Sequence, residues 1–290
     1  MRAIHTLKPM ATALVLSLAA ASCATLVRAP ADVEAERLLP PGAVAYARLD
    51  SSTLAQALLL VSGTDQKGVE AISERTDSMT AAVVRQAGAP SLGLLAVAVG
   101  RYPAGAASIS LGSDKAWRRT GPVWERKDGS MRLAFTDGGK AFFGTGPIDS
   151  LVAAASQPNP SPIPPRWAKE WSTAVAVYLP DPMALLSGRV PVGDGAVPMV
   201  AMVLSASPAG GGNYEASLHF EFETERAAVV FSPLCRVFLY AAAHAMWPER
   251  AATVLDEAVW TVKGRTVTAA RLPLDAASLA SFLGAAGSFD

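Results

Sequence analysis

The chain has 290 residues, a formal net charge of zero, and an apolar fraction of 51% against a charged fraction of 17%. A neutral chain lacks the basic surface that nucleic-acid binding requires, so we expect no nucleic-acid partner. The apolar share is high and the charged share low for a soluble protein, and the fold has to accommodate that surplus.

Residues 1–22 have the layout of an export signal. Arg2 and Lys8 form a positive region, the apolar stretch "MATALVLSLAA" follows, and small residues lead to Cys23. The stretch is too short for a stable transmembrane helix. Small residues before a cysteine suit a lipoprotein signal peptidase, although Ala20 replaces the usual branched residue. The sequence therefore predicts cleavage before Cys23 and acylation of its thiol, with palmitate among the expected chains; an ordinary secretory signal with a chance cysteine is the alternative.

The remainder divides into two predicted α/β units. We expect a tether over residues 23–41, a first unit over 42–156, a proline-rich linker over 157–166 and a second unit over 167–290. The segment "AVAVYLPDPMALLSG" in the second unit echoes "AVAYARLDSSTLAQALL" in the first. An internal duplication is therefore one hypothesis, and chance similarity in alanine-rich sequence is the other.

The first unit reads as strands mixed with helices. The pattern predicts a strand over "AVAYARLD", a helix capped by Asp50 or Ser51, and a second helix across residues 67–88. Further strands are predicted over "LGLLAVAVG", "AASISLG", "PVWERK", "MRLAFTD" and "KAFFGTG", followed by a short helix over "PIDSLVAAAS".

The second unit contains a predicted hairpin, "PMVAMVLSAS" and "YEASLHFEFET" around a glycine-rich turn. In its second strand the apolar side chains point one way, while His219, Glu221 and Glu223 point the other way and are expected in water. We predict an α+β fold with α/β/α-like layers, in which a mainly antiparallel sheet is covered by amphipathic helices.

Catalytic patterns are scarce in this sequence. No His, Cys or carboxylate spacing resembles a metal site, and no G-x-S-x-G elbow, P-loop or S-x-x-K motif is present. Glu221, Glu223 and Glu225 fit a solvated face better than an acid/base pair. If Cys23 is acylated, Cys235 has no disulfide partner. We therefore expect no enzyme activity, no cofactor and no metal.

The most informative stretch is residues 226–247. Ser232, Arg236, Tyr240 and His244 recur every four residues, which places a narrow polar stripe on an otherwise apolar helix. A true span would bring Arg236 near the bilayer centre at a cost of about 2.5–3.5 kcal/mol. A core helix and a helix that lies in the membrane interface are the other two interpretations.

The predicted lipid-contacting side chains are Val230, Phe231, Leu234, Val237, Phe238, Leu239, Met246 and Trp247, joined by Leu279, Phe282 and Leu283 of an alanine-rich helix near the C-terminus.

The relaxed lipobox "LAAASC", the alanine-rich amphipathic stretches around Leu234–Trp247 and Leu279–Phe282, and the overall size resemble the treponemal outer-membrane-associated lipoproteins. The resemblance implies a periplasmically oriented lipoprotein in the inner leaflet of the outer membrane, with an α/β/α fold and Cys23 as the lipidation site. It further implies amphipathic helices that move between closed and open states, insert into lipid and raise membrane permeability, and a lipid-binding cavity.

Two functions from different classes follow as expectations. The first is a lipid-anchored outer-membrane protein whose partners are membrane lipids, reached through its acyl chains and amphipathic helices, and whose helices increase membrane permeability. The second is a periplasmic module that binds or carries a lipid or another apolar ligand. An inert scaffold or docking domain ranks third.

Overall fold

The structure is a computed structural model and describes residues 26–54, 73–86, 92–186, 197–246 and 248–275. Within these residues all twelve strands join one antiparallel sheet, in the order β11-β12-β10-β9-β8-β1-β2-β3-β7-β6-β5-β4. The strands are β1 (Ala45–Asp50), β2 (Thr76–Arg85), β3 (Leu92–Gly100), β4 (Trp117–Thr120), β5 (Val123–Arg126), β6 (Arg132–Phe135), β7 (Lys140–Gly144), β8 (Val175–Leu179), β9 (Met199–Gly210), β10 (Asn213–Phe222), β11 (Val259–Lys263) and β12 (Thr266–Asp275).

Helices cover both faces of the sheet, which confirms the predicted α+β class. The α-helices are α1 (Ala104–Ser113), α2 (Asp149–Ser156), α3 (Ala168–Trp171), α4 (Pro182–Leu186), α5 (Glu225–Met246) and α6 (Ala251–Glu257). Short 3-10 helices span Ala35–Leu38 and Pro165–Trp167.

The strand connectivity repeats along the sheet. The order β1-β2-β3-β7-β6 in the first half matches β8-β9-β10-β12-β11 in the second, and the first half adds β4 and β5. The halves meet where β1 pairs with β8, with Tyr46 opposite Tyr178. Asp50 ends β1 and Asp181 follows the end of β8 by two residues, and the side chain of each accepts a backbone N–H three residues on, from Thr53 and Ala184. One continuous sheet therefore runs through both predicted units.

The two faces of the sheet have separate apolar cores, because side chains alternate along each strand. On the back face, Tyr46, Val97 and Phe142 pack under α2, α3 and the 3-10 helix Ala35–Leu38. The front face carries α5 and α6 over strands β8 to β12. It also carries α1, which packs over Phe135 and Ala141 at the other end of the sheet.

The segments predicted as tether and linker lie against the domain. Val27, Leu38 and Leu39 are buried in the first segment, and Ile163 is buried in the second. The two segments also bind each other, since the side-chain amide of Asn159 donates to the Leu39 carbonyl at 2.9 Å. Both therefore belong to the back layer and the sheet edge.

Two local predictions are wrong, and one strand was not predicted. The helix predicted across residues 67–88 is strand β2 in its described second half, where it pairs with both β1 and β3. The strand predicted over "AASISLG" is part of helix α1. Pairing on both sides outweighs helix propensity in the first case, and packing of Ala107 and Leu111 onto the front face favours a helix in the second. Strand β4 is absent from the predicted elements.

Glu221 does not meet water as predicted. Its carboxylate is buried and accepts hydrogen bonds from Arg166 at 2.8 Å and Arg265 at 3.1 Å, and from the Trp167 indole at 3.3 Å. The segment containing Arg166 and Trp167 covers this part of the back face. The neighbouring His219 is half-buried against Thr268, and burial lowers the pKa of its imidazole.

Candidate functional site

Helix α5 crosses the front face with a proline in its interior. The Thr224 hydroxyl accepts the Ala227 N–H at 3.1 Å and caps the helix start. Pro233 has no N–H to donate to the Val229 carbonyl four residues earlier. The Ser232 hydroxyl donates to that carbonyl instead, at 3.0 Å, so the Ser-Pro pair leaves the acceptor satisfied and the helix continuous.

The inner half of α5 is part of the core. Its buried side chains pack onto β10 and β12, where Phe220 and Val267 lie. Burial raises the pKa of the Cys235 thiol to about 12. The buried residues of this half are Ala228, Cys235, Phe238, Leu239 and Ala243.

The outer half of α5 exposes apolar side chains to solvent. Val229, Val230 and Val237 are 63%, 60% and 55% exposed, and Tyr240 is 42% exposed. Helices at a protein surface normally turn charged residues outward. Between Arg226 and Glu249, however, the sequence has a single Asp, Glu, Lys or Arg, which is Arg236.

The predicted polar stripe runs along this outer half. Arg236 lies over the ring of Trp260 on β11, with 5.3 Å between the guanidinium carbon and the ring centre. Tyr240 and His244 stack on each other at 5.7 Å, one helical turn apart. Side chains of the stripe therefore contact aromatic rings, whereas the valines beside the stripe remain exposed to solvent.

The structure separates the predicted lipid-contacting residues into three groups. Val230 and Val237 are exposed, Phe231 and Leu234 are half-buried, and Phe238 and Leu239 are buried. The remaining predicted positions lie outside the part of the chain whose side chains are described, and these are Met246, Trp247, Leu279, Phe282 and Leu283.

Several exposed apolar residues are absent from the predicted set. Val229 and Tyr240 complete the outer half of α5, and Val262 lies beside it on edge strand β11. Ile109 projects from α1. The sequence does contain a signal for the helix that carries Ile109. Pro103 is typical of a helix start, and the residues from there to Asp114 are uncharged.

Length and composition alone would let α5 cross a membrane. Residues Glu225–His244 are long and apolar enough for this. Within them, 28% of the 18-residue apolar stretch is buried in the protein. A single such helix is weak evidence for a span, because core helices also meet the criterion. The low buried share distinguishes α5 from a helix enclosed by its own protein.

A ligand cavity is less well supported by the described residues. One depression in this part of the chain is open to solvent and is lined by Arg28, Pro30, Asp137 and Ser156 among others. An apolar carrier needs an enclosed, mainly apolar cavity. In the same described ranges, no three His, Cys, Asp or Glu side chains cluster as a metal site would require.

The fold is similar to that of TP0453 from Treponema pallidum. Crystal forms III and IV of that protein match with a TM-score of 0.62 at 15% identity, covering 88% of this chain and 99% and 98% of theirs. Crystal form I matches with a TM-score of 0.61 at 16% identity, covering 89% of this chain and 99% of that one. At this identity the likeness shows a common fold, and its treponemal source agrees with the resemblance in the sequence. No protein-family model and no curated protein matches the sequence.

Proposed function

We propose that this protein is a lipid-anchored component of the outer membrane, facing the periplasm, which lies on the bilayer through the outer half of α5. The exposed row of Val229, Val230, Val237 and Tyr240 carries the proposal. The fold likeness supports it, since TP0453 is a treponemal membrane-associated protein. No catalytic chemistry is part of the proposed function.

The helix suits a position in the plane of the interface. Its 22 residues span about 33 Å, comparable to the thickness of the hydrocarbon core. Lying flat, its exposed side would bring Val229, Val230 and Val237 to the acyl boundary, and the long side chains of Arg236 and Tyr240 beside them would extend their polar ends to the headgroups. A perpendicular span would have to bury the Arg236 charge, so the flat orientation has the lower energetic cost.

The valines alone provide weak binding. The three valines are 55–63% exposed, so burying the rest of their surface contributes about 2–3 kcal/mol before the cost of association. Such a free energy corresponds to a dissociation constant on the order of 10 mM or weaker. Acylation of Cys23 is therefore the second component of the proposal, because an anchored domain experiences a high effective concentration of lipid.

Permeabilisation requires a second step, in which the inner half of α5 leaves the sheet. Phe238 and Leu239 would then exchange contacts with β10 and β12 for contacts with lipid. Three of the five buried residues of this half, Ala228, Cys235 and Ala243, are small. Their short side chains reduce the packing that the helix loses when it detaches.

Vesicle flotation tests the proposal. The chain beginning at Ala24 keeps every described contact, because the described structure begins at Leu26. With phosphatidylcholine vesicles in large excess, we expect a fraction of this chain to float, and that fraction to rise with lipid concentration. The double variant Val230→Glu, Val237→Glu should stay at the bottom, and the control Ala153→Glu, on an exposed site of back-face helix α2, should float like the parent chain.

Two results would contradict the proposal. If no fraction of the parent chain floats at any lipid concentration, the outer half of α5 does not bind membranes. If the double variant floats as well as the control, another surface is responsible. Dye release from the same vesicles tests the second step separately, because flotation without release retains membrane binding and removes permeabilisation.

A further inference from the structure

The internal repeat leaves one edge of the sheet open. In the strand order shared by the two halves, β11 occupies the place in the second half that β6 has in the first. The outer edge of β6 is covered, because β5 pairs with β6 and β4 pairs with β5. No strand within the described residues covers the outer edge of β11. The second half therefore ends where the first half adds another strand.

The main chain of β11 presents hydrogen-bonding groups at this edge. A two-residue turn places Lys263 opposite Thr266, so these two residues form the first hydrogen-bonded pair of the β11–β12 ladder. The alternation of an antiparallel ladder then directs the N–H and C=O groups of Thr261 toward β12, and those of Trp260 and Val262 outward. No described residue bonds to the outward groups.

The side chains of β11 do little to protect the edge. Trp260 and Val262 point to the front face, and Val259 and Thr261 point to the back face. Val259 and Val262 are 43% and 45% exposed. Lys263 is the single charged residue of the strand, and no β-bulge interrupts the pairing with β12. Edge strands that stay unpaired normally carry several charges, a proline or a bulge.

The opposite edge of the sheet is protected. Strand β4 carries Arg118 and Arg119, and both are exposed. The Trp117 N–H donates to the Asp114 carbonyl at 3.1 Å, so it is not open to another strand. The two ends of the sheet therefore differ in their readiness to accept a strand, and β11 is the open end.

From these observations we infer that β11 pairs with β11 of a second copy of this chain. A two-fold axis would relate the two strands, and the sheet would continue from one copy into the other. The inference goes beyond the proposed function and does not rest on it, because it concerns the sheet edge and requires no membrane. The occupant is a second copy because the strand complements itself.

One register matches the backbone and the apolar side chains. With Trp260 opposite Trp260 of the second copy, the outward groups of the two strands face each other. Val262 then lies opposite Ala258 of the second copy, which is already extended at the start of the strand. On the other face of the sheet, Val259 lies opposite Thr261. Both exposed valines are covered in this arrangement.

The charges favour the same register. Lys263 comes beside the end of α6 in the second copy, where Glu257 is exposed, and the two-fold axis creates this opposite-charge pair twice. An axis through Thr261 would instead place Lys263 opposite Val259. The register with Trp260 on the axis therefore pairs the charge at each end of the edge.

Sedimentation velocity without lipid tests the inference on the chain beginning at Ala24. We expect a monomer–dimer equilibrium whose dimer fraction rises with protein concentration. Val262→Pro should lower the association constant roughly tenfold or more, because it removes an outward N–H and keeps the ladder to β12. The control Val262→Thr keeps the N–H and a β-branched side chain, and it should dimerise like the parent chain.

Charge reversal gives a second test that leaves the folded strand intact. Lys263→Glu places like charges beside each other at both ends of the edge, so we expect a several-fold weaker dimer. The double variant Glu257→Lys, Lys263→Glu restores opposite charges and should recover the association constant of the parent chain. Both side chains are exposed, so neither variant should change the urea midpoint.

Amide hydrogen exchange locates the contact in the chain. The outward N–H groups of Trp260 and Val262 should exchange more slowly as the protein concentration rises. The N–H groups of Thr261 and Lys263 donate to β12 and should exchange slowly at every concentration.

The outcomes separate this inference from the proposed function. A monomer at every concentration overturns the inference, and so does a dimer that Val262→Pro leaves unchanged, because another surface then joins the copies. A dimer insensitive to charge reversal overturns the register. The double variant Val230→Glu, Val237→Glu should still dimerise, so failed vesicle flotation beside a normal dimer would remove the proposed function and leave the inference standing.

Discussion

The guanidinium carbon of Arg236 lies 5.3 Å from the centre of the Trp260 ring, joining the middle of α5 to edge strand β11. We expect Arg236→Ala to lower the free energy of unfolding by about 1 kcal/mol, through loss of this cation–π contact. Urea denaturation measures the change. A double-mutant cycle with Trp260→Leu isolates the pair, and a coupling energy near zero would show that the contact contributes nothing.

A serine hydroxyl compensates for the proline inside α5. Ser232 donates to the Val229 carbonyl, to which Pro233 cannot donate because it has no N–H. We therefore expect Ser232→Ala to lower the free energy of unfolding by about 1 kcal/mol. In a Pro233→Ala background the backbone N–H returns, and the same serine substitution should cost clearly less. Equal costs in both backgrounds would mean that the hydroxyl has no compensating role.

The buried Glu221 carboxylate holds the segment that contains Arg166 and Trp167 onto the back face. Glu221→Ala removes the acceptor for Arg166, Arg265 and Trp167, and we expect it to cost about 2–3 kcal/mol of unfolding free energy. Both arginines are half exposed and regain water, which limits the cost. Glu223→Ala, at an exposed site two residues later, is the matched control and should be nearly neutral.

The Cys235 thiol makes the stability of the fold depend on pH in the alkaline range. The pKa of an ordinary cysteine thiol is 9.0, and burial raises the pKa of Cys235 in the folded protein to about 12. Only the unfolded chain ionises readily between these values. This contribution to stability is therefore complete below pH 9 and falls by up to about 1.4 kcal/mol per pH unit between pH 9 and 12.

The variant Cys235→Ala isolates this dependence. Lysine and tyrosine side chains titrate in the same range in both proteins, so the difference between their stability curves belongs to the thiol. We expect the variant to lose stability less steeply above pH 9 in urea denaturation. Parallel curves would show that Cys235 ionises normally in the folded protein.

The sequence predicts most strands and the position of α5, because hairpin turns and apolar periodicity are local signals. It does not predict β2, whose alanines and valines fit a helix as well as a strand until β1 and β3 pair with it. Nor does it predict that Glu221 is buried. The arginines that contact it lie 55 and 44 residues away in the sequence.

The candidate site is predicted only in part. The chain pattern places Val237 and Phe238 on one broadly apolar helix, and nothing in that pattern says which of the two faces the sheet. Packing against β10 and β12 decides the matter, burying Phe238 and leaving Val237 in solvent. A helix that is apolar on most sides has no local signal for its buried side.

Paired substitutions at these two neighbours test the central claim most directly. Val237 is 55% exposed and Phe238 is 8% exposed. We predict that Val237→Glu keeps the urea midpoint of the parent chain and loses vesicle flotation, whereas Phe238→Glu lowers stability by about 3 kcal/mol or more. Wild-type flotation of a well-folded Val237→Glu protein would contradict the claim that the outer half of α5 is the membrane-binding surface.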